Sequence, residues 1–185
     1  MNKKIDISNV KIETKRLILR PFKEDDLLDF FNYAKVSGVG EMAGWPHHKS
    51  IDESKVILDT FIKGKNVFAV CKDNHVIGSI GIELYNEDQF PEFNNYNGRE
   101  IGYVLSKDYW GHGLMPEALS GVINYLFKEV KLDFLLCSHF LYNNQSKRCM
   151  EKVGFKQYKL IDYLDKCGEV NKAYVSLLEN HYIAN

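Results

Sequence analysis

The stretch Glu100-Ile101-Gly102-Tyr103-Val104-Leu105-Ser106-Lys107-Asp108-Tyr109-Trp110-Gly111-His112-Gly113-Leu114-Met115-Pro116-Glu117-Ala118 decides how the rest of the chain is read. It reads as a strand (Arg99 to Ser106), a glycine-bearing turn (Lys107 to Gly113) and a helix (Leu114 to Glu129). The helix carries Met115, Ala118, Leu119, Val122 and Leu126 on one face. Two glycines two positions apart let the backbone take positive φ and approach a ligand closely. The helix start adds unpaired N–H groups and the positive end of its dipole. Together these make a seat for a phosphate or pyrophosphate. Pro116 falls in the first turn, where its missing N–H has no intrahelical partner to lose. The P-loop pattern is absent, and a dinucleotide fingerprint would need Gly at position 116. On spacing alone, an ordinary strand–helix turn therefore stays open as a reading.

Outward from this stretch, Leu17-Ile18-Leu19, closed by Pro21, reads as a short strand, and 25–35 as an amphipathic helix. Residues 36–50 form a loop with Gly38, Gly40 and Gly44. Ile51 to Lys63 is a second helix, with Ser50 or Asp52 as its cap. Asn66 to Lys72 and His75 to Leu84 are strands about an Asp73-Asn74 hairpin turn. Tyr85 to Gly98 is a long polar excursion, a length often associated with function. Leu132 to Phe140 is a strand, Gln145 to Lys152 a short helix ending at Gly154, and Phe155 to Leu164 and Val170 to Leu178 a final strand pair. The order β-α-α-β-β-β-α-β-α-β-β predicts a mixed α/β sheet in one domain spanning 1–185. The βαβαβ run at 99–164 implies crossover helices and some parallel pairing, and the hairpins at 66–84 and 155–178 imply antiparallel pairing.

Composition narrows the function. Lys+Arg number 24 and Asp+Glu 25 in 185 residues, a net charge of −1 without the basic excess of a nucleic-acid binder. No stretch is apolar and long enough for a membrane helix. The start, Met1-Asn2-Lys3-Lys4-Ile5-Asp6, has no apolar region like that of a secretory signal. Cys71, Cys137, Cys149 and Cys167 form no CxxC pair and no metal-ligand spacing, which predicts reduced thiols, a cytoplasmic location and no metal. Aromatics reach 13%, with 11 Tyr and 11 Phe. Phe30, Phe31 and Phe68 fall at core-facing periods. Trp45, Tyr85, Phe90, Phe93, Tyr96, Tyr103, Tyr109, Trp110 and Tyr142 are also singled out, and part of the surplus is read as the wall of a pocket.

Three blocks resemble the GNAT superfamily of N-acetyltransferases. Asp108-Tyr109-Trp110-Gly111-His112-Gly113 is similar to its acetyl-coenzyme A motif, Arg/Gln-x-x-Gly-x-Gly/Ala, with Asp108 departing at the first position. Asn143-Asn144-Gln145-Ser146 through Glu151-Lys152-Val153-Gly154-Phe155 looks like the Asn-x-x-Ser…Glu-Lys-x-Gly-Phe signature. Glu13-Thr14-Lys15-Arg16-Leu17-Ile18-Leu19-Arg20-Pro21 resembles the opening of the ribosomal-protein N-terminal acetyltransferase (Rim-type) branch. The resemblance implies the acyl-CoA N-acyltransferase fold: a mixed, strongly twisted β-sheet with helices on both faces, whose strands 99–106 and 132–140 splay apart. It implies acetyl-CoA in that opening, with Val104, Leu105 and Ser106 pairing to pantetheine. Trp110, Gly111, His112, Gly113, Leu114 and Met115 would hold the pyrophosphate, and Asn143 and Ser146 would lie by the pantetheine arm; Asn143 also reads as a helix cap. The partner is an amine acceptor, a protein N-terminus or a small molecule such as a polyamine or aminoglycoside, and a homodimer is expected.

The implied chemistry is attack of a neutral amine on a thioester, which needs a proton acceptor and donors for the developing oxyanion. By resemblance, Glu100 is the candidate base, with a solvated strand-end charge as its other reading. Met150 stands where many relatives have a tyrosine acid, leaving Tyr142 as a substitute that otherwise reads as a packing aromatic. The chain also fits a non-catalytic acyl-CoA-binding module. His47 and His48 are candidate acceptor contacts, and Glu87, Asp88 and Glu92 could draw a cationic acceptor.

Overall fold

The computed structural model describes residues 1–180. Its strands are β1 (Ile12–Glu13), β2 (Ile18–Pro21), β3 (Val67–Lys72), β4 (His75–Glu83), β5 (Gly98–Leu105), β6 (Phe134–Phe140), β7 (Lys156–Leu164) and β8 (Val170–Glu179). Its helices are α1 (Leu27–Ala34), α2 (Ile51–Gly64), α3 (Leu114–Lys128) and α4 (Asn144–Lys152). The strands form one mixed sheet in the order β1-β2-β3-β4-β5-β6-β8-β7.

Alternation along the strands feeds two apolar layers. In β3, Phe68 and Val70 join the core under α3 with Leu119, Val122 and Leu126. Val67, Ala69 and Cys71 face the other way and pack with Phe30, Tyr33 and Leu58 of α1 and α2. This is the period-2 geometry of a strand buried on both faces, and it accounts for the apolar run. The β3–β4 turn has Asp73 and Asn74 at φ 49° and 68°, the primed hairpin geometry these residues favour. Ser50 caps α2 by accepting from the Glu53 N–H at 3.2 Å.

Two expectations need correction. A short β1 precedes the first expected strand and pairs antiparallel with β2. The βαβαβ run supplies the expected parallel pairing in one pair, β5–β6. After α4 the chain passes to the sheet edge as β7, and β8 returns antiparallel to β6 between them. Burial explains this order: Ala173, Val175 and Ser176 of β8 are buried, whereas most of β7 is exposed. Lastly, the aromatics of 85–96 are not a pocket wall. Tyr85 and Phe90 are buried in a third cluster with Phe134, Leu136 and Val175, and Phe93 stacks on Phe134 with ring centroids 4.4 Å apart. Carboxylates of that excursion serve local structure: Glu87 accepts from the Asn2 N–H at 2.7 Å, and Glu92 from the Tyr158 hydroxyl at 2.6 Å.

The β5–β6 junction depends on a missing side chain. A Cβ on Gly98 would collide with the Phe134 ring on the paired strand. We expect Gly98→Ala to lower stability by about 1–3 kcal/mol, as overpacking does, measured as a shift in the denaturant midpoint.

Candidate active site

The parallel ladder between β5 and β6 covers three residue pairs: Gly98–Phe134, Arg99–Leu135 and Glu100–Leu136. Both strands run on beyond it, to Leu105 and Phe140, without pairing to each other. A cavity of about 340 Å³ occupies the opening. Register divides its lining by face. Glu100 and Val104 of β5 point to the α1–α2 side, where Ser138, Phe140 and Tyr163 join them with Met42 of the 36–50 loop. Tyr103 points to the α3–α4 side, with Met115, His139, Asn143, Ser146 and Cys149. The cavity therefore passes through the plane of the sheet.

Glu100 is partly buried, and Ser138 Oγ donates to its Oε1 at 2.8 Å. Burial pushes its pKa above the ordinary carboxylate value, the Ser138 bond opposes this, and the Glu83 charge adds to it. Tyr163 is raised by burial and by the negative charges of Glu100, Asp165 and Glu83. On the other face, Tyr103 Oη lies 2.8 Å from Ser146 Oγ, and burial holds its pKa well above normal. His139 is 5% exposed, burial lowers its pKa, and its Nδ1 has no hydrogen-bond partner among the described residues.

The glycine turn follows at the end of β5. Gly111 and Gly113 have φ 79° and 71°, left-handed values that explain both glycines. A Cβ on Gly111 would meet nothing within 4 Å, so conformation rather than crowding selects glycine there, and the space above the turn is open. Gly113 caps α3 without any side-chain bond, leaving the first-turn N–H groups of the helix available to an anion. Trp110 Nε1 donates to the Leu105 carbonyl at 2.8 Å, tying the turn to β5. Arg16 Nη1 donates to the His112 carbonyl at 3.0 Å, and Arg16 Nε to Glu117 Oε2 at 2.6 Å. Thr14 Oγ1 donates to Glu117 Oε1 at 2.7 Å. Although burial raises the Glu117 pKa, the bonds from Thr14 and Arg16 bring it below normal. The N-terminal block thus braces the turn from beneath.

Of the residues expected at the site, Glu100, Val104, Leu105, Trp110, Met115, Asn143 and Ser146 line the cavity. Gly111, His112, Gly113 and Leu114 lie outside the lining, on the turn and helix start that follow Trp110. Ser106 also lies outside, its N–H donating to the Ile77 carbonyl at 2.7 Å. Tyr142 is 56% exposed, stacks on Phe140 and is not part of the lining. Asn143 caps α4 through the Ser146 N–H at 3.0 Å, and its Nδ2 donates to the Met42 carbonyl at 3.0 Å. His47 bonds Glu41, and His48 is buried against Ser54. Sequence reasoning missed Glu83, His139 and Tyr163. Glu83 is found only through the β4–β5 register and Tyr163 only through the β7–β8 return; neither leaves a local signal.

The model of the acetyltransferase (GNAT) domain matches residues 16–156. The chain belongs to the GNAT acetyltransferase family. It is 26% identical over 153 residues to the Bacillus subtilis protein called uncharacterized N-acetyltransferase YoaA, covering 79% of this chain and 82% of that one. The GNAT-family acetyltransferase of Bacillus anthracis shares the fold with a TM-score of 0.80 at 22% identity, covering 92% of this chain and 99% of the other. Mycobacterium smegmatis RimJ, solved in complex with CoA-disulfide, gives 0.77 at 15% identity, covering 95% and 90%. This GNAT chain is accordingly an N-acetyltransferase, and acetyl-CoA is its family's acyl donor. Among the described residues no helix is long and apolar enough to cross a membrane. Cys71, Cys137 and Cys149 are buried free thiols, and Cys167 is an exposed one.

Two outcomes follow from this geometry. Arg16→Ala removes the brace on the His112 carbonyl and should raise the acetyl-CoA Kd about tenfold, roughly 1.4 kcal/mol, by calorimetric titration. Because burial favours the neutral acid of Glu100, the folded protein is penalised once pH exceeds the ordinary carboxylate range. Glu100→Gln should therefore raise the melting temperature at neutral pH, with the gain shrinking as pH falls through that range.

Proposed function

We propose that residues 1–185 form one domain that transfers acetyl from acetyl-CoA to a primary amine by direct attack. The observation carrying this reading is the cavity between the parted strands, with Glu100 on one face and the Tyr103–Ser146 pair on the other. Val104 and Leu105 offer strand backbone to pantetheine, whereas Ser106, its N–H given to Ile77 and its carbonyl accepting from the Tyr109 N–H at 3.0 Å, is engaged in the turn; the 110–115 turn and helix start offer N–H groups to the pyrophosphate. Asn143 and Ser146 stand beside the pantetheine arm. When bound, acetyl-CoA supplies an activated thioester.

The protein's part is to hold the amine and move its protons. The new bond joins nitrogen to the acetyl carbon, and the carbon–sulfur bond breaks. Glu100 takes the proton that the amine loses; a raised pKa suits it to this task. Ser146 Oγ, backed by Tyr103 Oη, is the hydroxyl group best situated to protonate the leaving sulfur. Tyr142, exposed on the outer side of Phe140, is left with packing. The Rim-type blocks favour a protein N-terminus as acceptor, and a small-molecule amine fits the same chemistry. The exposed edge strand β7, with Tyr158 and Leu160 facing solvent, supports a homodimer.

Purified protein should release CoA thiol when given acetyl-CoA and a suitable primary amine. Glu100→Gln should cut kcat by about 10²–10⁴ while leaving the acetyl-CoA Kd in place. In the wild type, kcat/KM should fall toward acid pH through an ionisation above the ordinary carboxylate range, and the variant should lose that limb. Binding of CoA with no turnover on any amine would replace this reading with that of a binding module.

A further inference from the structure

The charge inside the cavity carries a second message. Its lining contains two carboxylates, Glu83 and Glu100, and neither lysine nor arginine. The two residues stand directly opposite each other in the β4–β5 register. Like charges in that position repel, and the Glu100 pKa is raised partly by its neighbour. Among the described residues the hydrogen-bond partners of both are neutral, Ser138 Oγ at 2.8 Å from Glu100 and Asn66 Nδ2 at 3.3 Å from Glu83 Oε2; the Arg99 guanidinium interacts with the Glu83 charge but lies outside the cavity lining.

The backbone beside the pair is cleared of side chains. Gly81 and Gly102 face each other in the next register position on this face. A Cβ on Gly81 would come within 2.6 Å of Glu83 Oε1, so this glycine makes room for the carboxylate to lie over the strand. A Cβ on Gly102 would meet nothing within 4 Å, leaving an open floor from the carboxylates toward Val104. Tyr163 and Phe140, in edge contact with centroids 5.5 Å apart, stand on the opposite wall. On the α3–α4 side of the cavity, the buried Nδ1 of His139 has no hydrogen-bond partner among the described residues.

We propose that the acceptor is a dication: a primary amine with a second cationic centre a short spacer away, held by Glu83 while Glu100 takes the proton of the reacting nitrogen. Opposed side chains on neighbouring strands lie roughly 5 Å apart, which matches a spacer of about three carbons. The second cation removes the carboxylate repulsion, and the aromatic wall favours it further. Its charge also lowers the pKa of the nearby amine, supplying more of the neutral nucleophile. This deepens the proposed acetyl transfer and rests on it.

The test compares 1,3-diaminopropane with propylamine, which matches it in length but has one nitrogen. Wild-type kcat/KM should favour the diamine at least tenfold at low salt. Glu83→Gln should collapse that ratio toward one, mainly through KM of the diamine, and Glu83→Asp should restore part of it. Equal turnover of the two amines by the wild type, or a ratio unchanged by Glu83→Gln, would overturn the proposal. Titration of the CoA-loaded protein with 1,3-diaminopropane separates the two readings. Absent turnover with diamine binding that Glu83→Gln abolishes would refute acetyl transfer and keep the dication site. Diamine binding that is absent, or equal in wild type and variant, would refute the site.

Discussion

Everything at the active site depends on the parallel ladder between β5 and β6 stopping after Glu100–Leu136. Buried backbone N–H and C=O groups need partners, so two neighbouring strands that part leave edges able to pair with a ligand. Had the ladder continued to Leu105 and Phe140, the sheet would be closed and its two faces would be separate surfaces. Because it stops, the α1–α2 side, with Glu100 and Glu83, connects to the α3–α4 side, with Tyr103 and Ser146. Asn143 ties these halves together, capping α4 with its oxygen and holding the Met42 carbonyl of the 36–50 loop with its nitrogen.

The glycine turn depends on that opening and on support from far away in sequence. Gly111 and Gly113 give the backbone its left-handed path. Trp110 anchors the turn to the Leu105 carbonyl, and Arg16 and Thr14 clamp it through Glu117 and the His112 carbonyl. A loop whose amides must point at an anion gains from such bracing, since preorganised donors need no rearrangement when the ligand arrives. The resemblance of the 13–21 block to its family's opening thus acquires a physical reason: Thr14 and Arg16 brace the underside of the glycine turn.

Most of the secondary structure was legible in the chain because it is locally encoded. The Asp73-Asn74 hairpin, the Ser50 cap and the helical face of α3 each depend on residues a few positions apart. Topology was less so: βαβαβ order implied some parallel pairing, which β5–β6 supplies, but nothing local says that β8 will displace β7 from β6. The aromatics of 85–96 were misread for the same reason. A polar stretch with interspersed Tyr and Phe resembles a binding loop until Phe134 and Val175, distant in sequence, turn out to lie beneath it.

The sequence by itself determined the family, the glycine turn and the Asn143–Ser146 helix cap, because each is carried by short-range spacing that backbone geometry constrains. Only the tertiary structure decided that Tyr142 faces outward, that Tyr103 backs Ser146, that Glu83 stands opposite Glu100 and that Tyr163 closes the far wall. Those relations are set by strand register and by which face each residue takes. Moving a strand by one position sends every side chain to the opposite face, so no local pattern can record them.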